Sequence, residues 1–204
     1  MIEIKQLALR LSFRIELMKE DITRALEVLH EGGVILYPTD TIWGLGCDAT
    51  NPEAVQRIYE IKKRVETKSM LVLVDSSAKL QGYVAEVPEI AWDLAELSDT
   101  PLTIVYPNAR NLADNLLAED KSVGIRVTSE AFSKKLCERF KRPLVSTSAN
   151  LSGELAPALF QDIAPEIVEA VDYVVQYRQN DRKVSKVSSI IKLGVNNEVE
   201  VIRK

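Results

Sequence analysis

Three short polar segments follow apolar or amphipathic stretches of the chain, and they carry the side chains best suited to binding an anionic substrate. Ligand sites in α/β proteins gather where strands and helices end and loops begin, so we expect the chemistry at these positions. The segments are residues 37–48, 61–68 and 143–153. None of them contains a P-loop, and the glycines of the first do not complete a dinucleotide-binding fingerprint.

The first segment offers two hydroxyls and two glycines directly after an apolar strand. Thr39 and Thr41 could donate or accept hydrogen bonds, while Gly44 and Gly46 would let the backbone approach a ligand closely. A tight turn capped by threonines has the same composition. Residue types alone therefore leave a ligand loop and a structural turn equally open.

The second segment places cations at the end of an amphipathic helix. Lys62 falls on the same helical stripe as Val55 and Ile58, which predicts that its side chain leaves the helix on the core-facing side. Together with Arg64 and Lys68 it could bind a carboxylate or phosphates. A solvated helix C-terminus also favours cations, and this segment alone favours that alternative.

The third segment is a short strand that runs into several hydroxyls and an amide. Ser146, Ser148 and Asn150 supply neutral hydrogen-bonding groups, which suit phosphate and ribose recognition. A serine hydrolase is disfavoured, because His30 is the only histidine and no nucleophile elbow is present. The alternative is a plain turn, although so much polarity after an apolar strand is unusual.

Composition limits the classes of protein and of site. The chain has 204 residues, 46% of them hydrophobic, and no apolar run long enough to span a bilayer. A net charge of −4 excludes a polycation that would bind nucleic acid through its whole surface. Two cysteines support neither a disulfide framework nor a cysteine zinc site. Without a signal-peptide pattern, these features predict a cytoplasmic protein with no membrane partner.

Apolar strand patterns alternate with helical periodicity, which predicts an α/β domain with a largely buried sheet. The predicted strands are 34–37, 70–74, 102–106, 123–127, 172–175, 189–193 and 199–202. The predicted helices are 19–31, 51–63, 87–97, 129–140 and 165–171. No linker, low-complexity tract or repeat interrupts them, so residues 19–204 are predicted to form a single domain.

Residues 1–18 follow a different pattern. Apolar and polar residues alternate from Leu7 to Leu17, which predicts a half-buried strand at a sheet edge or against a second subunit. Alternatively, Met18 is the true start, and the residues before it are an extension. The regular alternation favours the strand.

The order and spacing of these motifs resemble the YrdC-like family, the threonylcarbamoyl-AMP synthases. The resemblance rests on residues 37–46, Lys62 with Arg64, Arg126 and residues 146–153. It covers the chain from about residue 19 onward, and the Lys-x-Arg pair and the Ser-Thr-Ser-Ala-Asn-x-Ser-Gly run are specific in combination. The family implies a twisted, mostly open sheet flanked by helices around a positively lined cavity, the YrdC-like fold.

The resemblance also implies a reaction. Family members are nucleotidyltransferases that convert L-threonine, bicarbonate and ATP to threonylcarbamoyl-AMP and pyrophosphate, with Mg²⁺ bound to the nucleotide and no organic cofactor. Their product passes to transfer proteins that make threonylcarbamoyladenosine (t6A) in tRNA, and several members bind double-stranded RNA. A metal site made by the protein alone is not expected.

The family's functional positions carry over onto this sequence residue by residue. The resemblance makes Lys62 and Arg64 the catalytic pair, in contact with the phosphates and the carbamate. The residues expected to contact threonine or bicarbonate are Thr39, Arg126, Ser146 and Ser188. The residues expected to contact the nucleotide are Lys62, Arg64, Lys68, Ser122, Ser148, Asn150 and Arg203.

Departures from the family pattern define two alternatives. Val65 and Ser69 stand where many members have prolines, and Ala156 replaces a serine, which is compatible with a YciO-like paralogue acting on a related adenylate. The second alternative is a double-stranded RNA-binding protein without synthase activity. It would use the basic residues Lys134, Lys135, Arg139, Lys141 and Arg142, for which a solvated helix face is the preferred interpretation.

Overall fold

The computed structural model describes residues 2–64, 70–182, 184–194 and 198–204, with side chains from residue 5 onward. Within these ranges a mixed sheet of nine strands is flanked by helices, which confirms the predicted α/β fold. The strands are β1 (Ile35–Tyr37), β2 (Gly44–Gly46), β3 (Leu71–Val74), β4 (Leu102–Tyr106), β5 (Val123–Val127), β6 (Leu144–Ser148), β7 (Tyr173–Val174), β8 (Ser189–Leu193) and β9 (Val199–Arg203). The helices are α1 (Ile2–His30), α2 (Pro52–Ile61), α3 (Leu80–Tyr83), α4 (Glu89–Leu97), α5 (Ala131–Phe140) and α6 (Pro165–Ala170). No helix in the described ranges is both long and apolar enough to cross a membrane.

The order of the strands brings the three polar segments together. The sheet runs β7-β1-β2-β6-β3-β5-β4-β8-β9. Strand β2 of the first segment pairs with β6 of the third, so that Gly44 lies opposite Ser148. Strand β6 in turn pairs with β3, the strand that follows the second segment. Segments far apart in sequence therefore meet at the centre of one sheet.

Helix α2 forms and docks for reasons visible in its sequence. Asn51 accepts hydrogen bonds from the backbone amides of residues 53 and 54, and Pro52 occupies the first turn, where its missing N–H costs nothing. Val55, Ile58 and Tyr59 are buried on one stripe. This stripe fixes the rotation of the helix and hence the direction in which its last residues point.

The predicted N-terminal strand is wrong, because residues 2–30 form the single helix α1. In a helix the alternating apolar residues fall on two opposite stripes, with Leu7 and Leu11 on one and Leu9 and Phe13 on the other. These four side chains are between 60% and 76% exposed, so burial does not select a strand. The helix propensity of the leucines and arginines then decides. Met18 as the true start stays a prediction.

Candidate active site

A cavity of about 360 Å³ lies against one face of the sheet. Its walls include Ser122, Gly124 and Arg126 on and before β5, and Ser146 and Ser148 on β6. Side chains two residues apart on a strand point to the same face. The alternation of these strands therefore aims their hydroxyls and a cation into one space.

Arg126 is the most deeply buried cation of the cavity, with 3% of its side chain exposed. Its Nη2 lies 3.0 Å from Oδ1 of Asp40 and donates to the Thr41 hydroxyl at 3.3 Å, while Nη1 donates to the Thr103 hydroxyl at 3.5 Å. The contact with Asp40 is an ion pair without hydrogen-bond geometry, and Nε of Arg126 has no hydrogen-bond partner among the described residues. Arg126 thus connects strand β5, on which it lies, to the loop after β1 and to strand β4.

Asp40→Asn is expected to change how stability depends on pH. Burial raises the pKa of the Asp40 carboxyl above its ordinary value, against the opposing attraction of Arg126. The folded chain therefore holds the Asp40 proton more tightly than the unfolded chain does. The protonated carboxyl stabilises the fold fully below the unfolded pKa, and this stabilisation is lost as the pH rises through the folded pKa. The unfolding free energy of the wild type, measured relative to the variant by urea titration, should fall as the pH rises from about 4. A difference that does not vary with pH would contradict this assignment.

The Thr39 hydroxyl belongs to the loop and not to the cavity wall. Its Oγ1 accepts from the Thr41 amide at 3.1 Å and donates to the carbonyl of Ile42 at 2.8 Å. Arg178 also donates to the Thr39 carbonyl at 3.0 Å. Thr41, two residues on, lines the cavity. The loop therefore presents Thr41 where the sequence predicted Thr39, and a threonine contact at Thr39 stays a prediction.

Three arginines line the cavity among the described residues, namely Arg64, Arg126 and Arg203. Burial lowers the pKa of Arg64, and burial together with the charge of Arg126 lowers the pKa of Arg203. Glu154 is the single carboxylate among the described lining residues. The cavity is therefore cationic even though the chain is acidic as a whole, and it suits a ligand with several negative charges.

The wall formed by β4, β8 and β9 is held by hydrogen bonds to Ser188. Its hydroxyl lies 2.8 Å from that of Thr103, and its carbonyl accepts from Nε of Arg203 at 2.9 Å. A longer bond of 3.4 Å joins Nη2 of Arg203 to the Ser188 hydroxyl. Since Thr103 also contacts Arg126, these bonds fix two of the three guanidinium groups relative to each other.

Lys62 is buried, as the helical stripe predicted, but its ammonium group does not line the cavity. Nζ donates to the carbonyls of Ser148 and Asn150, both at 2.5 Å. Burial, followed by the charge of Arg64, lowers the pKa of Lys62 to about 8. The predicted catalytic lysine therefore touches the backbone of the third segment, behind the cavity.

Most of the predicted site residues meet in this cavity. Those that line it are Arg64, Ser122, Arg126, Ser146, Ser148, Asn150, Ser188 and Arg203. Thr39 and Lys62 lie behind its wall, and Lys68 lies outside the described residues. Their individual roles stay predictions.

Sequence reasoning missed several residues of the site. Local sequence gives no signal beyond polarity for Asp40, Thr103 and Glu154. Trp43 has the character of a core residue, since it is 7% exposed and packs on Phe160 with ring centroids 4.9 Å apart. Thr103 alone offered a clue, since it is polar within an otherwise apolar strand. It could have been suspected as a group facing a polar cavity.

Comparison with known proteins identifies related sequences. A model of the Sua5/YciO/YrdC family, described as "Telomere recombination", matches residues 27–204. The threonylcarbamoyl-AMP synthase of Pseudoalteromonas translucida (strain TAC 125) is 36% identical over 157 residues, which are 76% of this chain and 84% of that protein.

Solved structures agree in fold. E. coli YciO superimposes with a TM-score of 0.77 at 25% identity, covering 90% of this chain and 88% of YciO. P. abyssi Sua5 complexed with L-threonine superimposes with a TM-score of 0.75 at 27% identity over 84% of this chain. The chain spans about half the length of that Sua5, 50%.

Proposed function

We propose, since this chain belongs to the Sua5/YciO/YrdC family, that it is an L-threonylcarbamoyladenylate synthase, a nucleotidyltransferase that forms threonylcarbamoyl-AMP and pyrophosphate from L-threonine, bicarbonate and ATP. The carrying observation is the cavity in which Arg64, Arg126 and Arg203 converge with a row of hydroxyls. A nucleotide and a carboxylated amino acid are both anionic, and guanidinium groups match carboxylates and phosphates in geometry. The name of the P. translucida relative and the threonine bound to P. abyssi Sua5 support the same assignment.

The proposed reaction has two steps, carbamate formation with loss of water and adenylation with loss of pyrophosphate. The amine of threonine attacks bicarbonate and water leaves, which gives the carbamate. A carbamate oxygen then attacks the α-phosphorus of ATP, the bond to the bridging oxygen breaks, and pyrophosphate departs with the electron pair. The carbamate is already anionic, so no general base is required for the second step. This suits a chain whose only histidine, His30, packs on Phe140.

The residues of the chain would act by position and charge. Arg64 and Arg203 lie where they could offset the charge on phosphate oxygens, and Arg126, which also lines the cavity, is suited to the carboxylate of threonine. Enclosure would keep water from the carbamate, which hydrolyses readily. Ser148 and Asn150 would bind the nucleotide, and Ser146 and Ser188 would bind the amino acid.

Mg²⁺ fits this cavity only as a companion of the nucleotide. Among the described residues there is no group of three or more His, Cys, Asp or Glu side chains able to hold a metal ion, and Glu154 is the lining carboxylate. Mg²⁺ is commonly held by one or two carboxylates together with substrate phosphates. When bound with ATP it would neutralise part of the charge on the phosphate oxygens.

The test is pyrophosphate release by the purified protein with ATP, Mg²⁺, L-threonine and bicarbonate. The synthase assignment requires release that depends on both threonine and bicarbonate. Release with ATP alone, or none while ATP still binds, would reject it. ATP binding without pyrophosphate release would favour a YciO-like activity on a related adenylate. Ala156 on the cavity wall and the similarity to E. coli YciO support that alternative.

We place the protein in the cytoplasm, where its product would be used to make t6A in tRNA. A mixed anhydride of this kind is short-lived, so we expect the protein to act beside the tRNA-modifying proteins that consume it. Binding of RNA is less well supported, because Lys135 pairs with Glu138 at 2.7 Å and Arg142 pairs with Asp48 at 2.7 Å. These pairs leave a partly neutralised surface, and RNA binding that weakens steeply with salt would be required to establish it.

A further inference from the structure

We propose that Lys62 is a positioning residue, whose ammonium group holds the backbone of residues 148–150 so that the side chains of Ser148 and Asn150 face the cavity. The proposal rests on the proposed function only for the identity of the ligand. Lys62 is 1% exposed, and its Nζ lies 2.5 Å from the carbonyl oxygens of both Ser148 and Asn150. Neither oxygen could keep this partner if the ammonium moved to a phosphate in the cavity.

The loop depends on Lys62 at three points. Besides the two ammonium contacts, the carbonyl of Lys62 accepts the Ser152 amide at 2.8 Å. The Ser148 carbonyl also accepts the Asn150 amide at 2.9 Å, so the turn closes on the same oxygen that Lys62 binds. Buried backbone carbonyls require partners, and a charged donor shared by two of them fixes their spacing and direction.

The consequence for the cavity appears at Asn150. Its Nδ2 donates to the carbonyls of Leu151 and Glu154 at 2.9 Å and 2.8 Å. Its Oδ1 is buried and has no hydrogen-bond partner among the described residues. The turn therefore fixes the amide of Asn150, and both Asn150 and Ser148 line the cavity. An arrangement this specific is maintained only while the backbone beneath it is held.

The first experiment needs no ligand. Lys62→Met keeps the length and apolar stem of the side chain and removes its donors, while Lys63→Met is the matched control, because Lys63 is 68% exposed and pairs with Glu166 at 3.6 Å. We expect amide exchange in residues 148–152 to accelerate by about 10-fold or more in Lys62→Met and to stay unchanged in Lys63→Met. Exchange in this segment that equals the wild type overturns the proposal. If Lys62→Met does not fold, Lys62→Gln, which retains an N–H donor on a shorter stem, is used with the same two outcomes.

The second experiment separates positioning from phosphate contact. Dissociation constants are measured for AMP and for a non-hydrolysable ATP analogue in Lys62→Met, Asn150→Ala and the double variant. A positioning role predicts that both nucleotides weaken equally and that the double variant binds within about 2-fold of the weaker single variant, because both substitutions disable one turn. Loss confined to the ATP analogue, or losses that multiply, would instead assign Lys62 to the phosphates. These readouts do not depend on turnover, so failure of the pyrophosphate assay leaves them interpretable.

Discussion

Arg126→Met is expected to abolish adenylate formation and to lower the free energy of unfolding by about 3 kcal/mol. Arg126 and Asp40 are 3% and 6% exposed and lie 3.0 Å apart. Removing the cation leaves a buried carboxylate without its counterion and leaves the hydroxyls of Thr41 and Thr103 without a shared donor. Urea unfolding and the pyrophosphate assay measure the two losses separately.

Two further variants show whether the loss comes from the buried pair. Asp40→Asn added to Arg126→Met removes the buried unpaired carboxylate and should restore most of the stability, but no activity, since the cavity still lacks the Arg126 guanidinium. Arg57→Met is the matched surface control, because Arg57 and Asp172 are 42% and 38% exposed despite a distance of 2.6 Å. It should cost about 1 kcal/mol or less. Full activity in Arg126→Met, or equal costs at the two arginines, would remove Arg126 from the site.

Local periodicity was enough to predict the central elements and the direction of Lys62. Strands such as β5 and helix α2 bury continuous or periodic apolar residues, and the stripe on α2 correctly placed Lys62 toward the core. Periodicity failed for α1, where the apolar residues of the first half are exposed. An apolar pattern predicts secondary structure only where the apolar side chains are buried in a core. In the exposed half of α1, helix propensity decides the structure instead.

The residues that line the cavity were largely predictable from the sequence, but their contacts were not. Serines on alternating positions of β6 could be expected to share a face, and eight of the predicted residues do line one cavity. The partner of Arg126 could not be predicted, because Asp40 reaches it only through the order of the strands, which places the loop before β2 near β5. The role of Lys62 was hidden for the same reason, since its acceptors are backbone carbonyls that any residue possesses.

The three neighbouring basic residues of the second segment, residues 62–64, point in different directions. Lys62 faces the core, Lys63 faces solvent and Arg64 reaches the cavity. Lys63 takes a positive φ of 48° as the helix ends, which turns the chain so that the next side chain points back toward the sheet. Three consecutive basic residues therefore meet three environments, and a test of the site can use one of them as the control for another.

Arg64→Ala is expected to lower kcat/KM for adenylate formation by about 100-fold or more, because an interaction with charge that develops in the transition state is lost. Lys63→Ala, one residue earlier and 68% exposed, should stay within about 2-fold of the wild type, since a screened surface charge contributes little. Both variants should unfold at nearly the same urea concentration as the wild type, because neither side chain belongs to the apolar core. Initial rates of pyrophosphate release at varied ATP measure the effect. Equal rates for the two variants would mean that total positive charge, and not a guanidinium at this point of the cavity, supports the reaction.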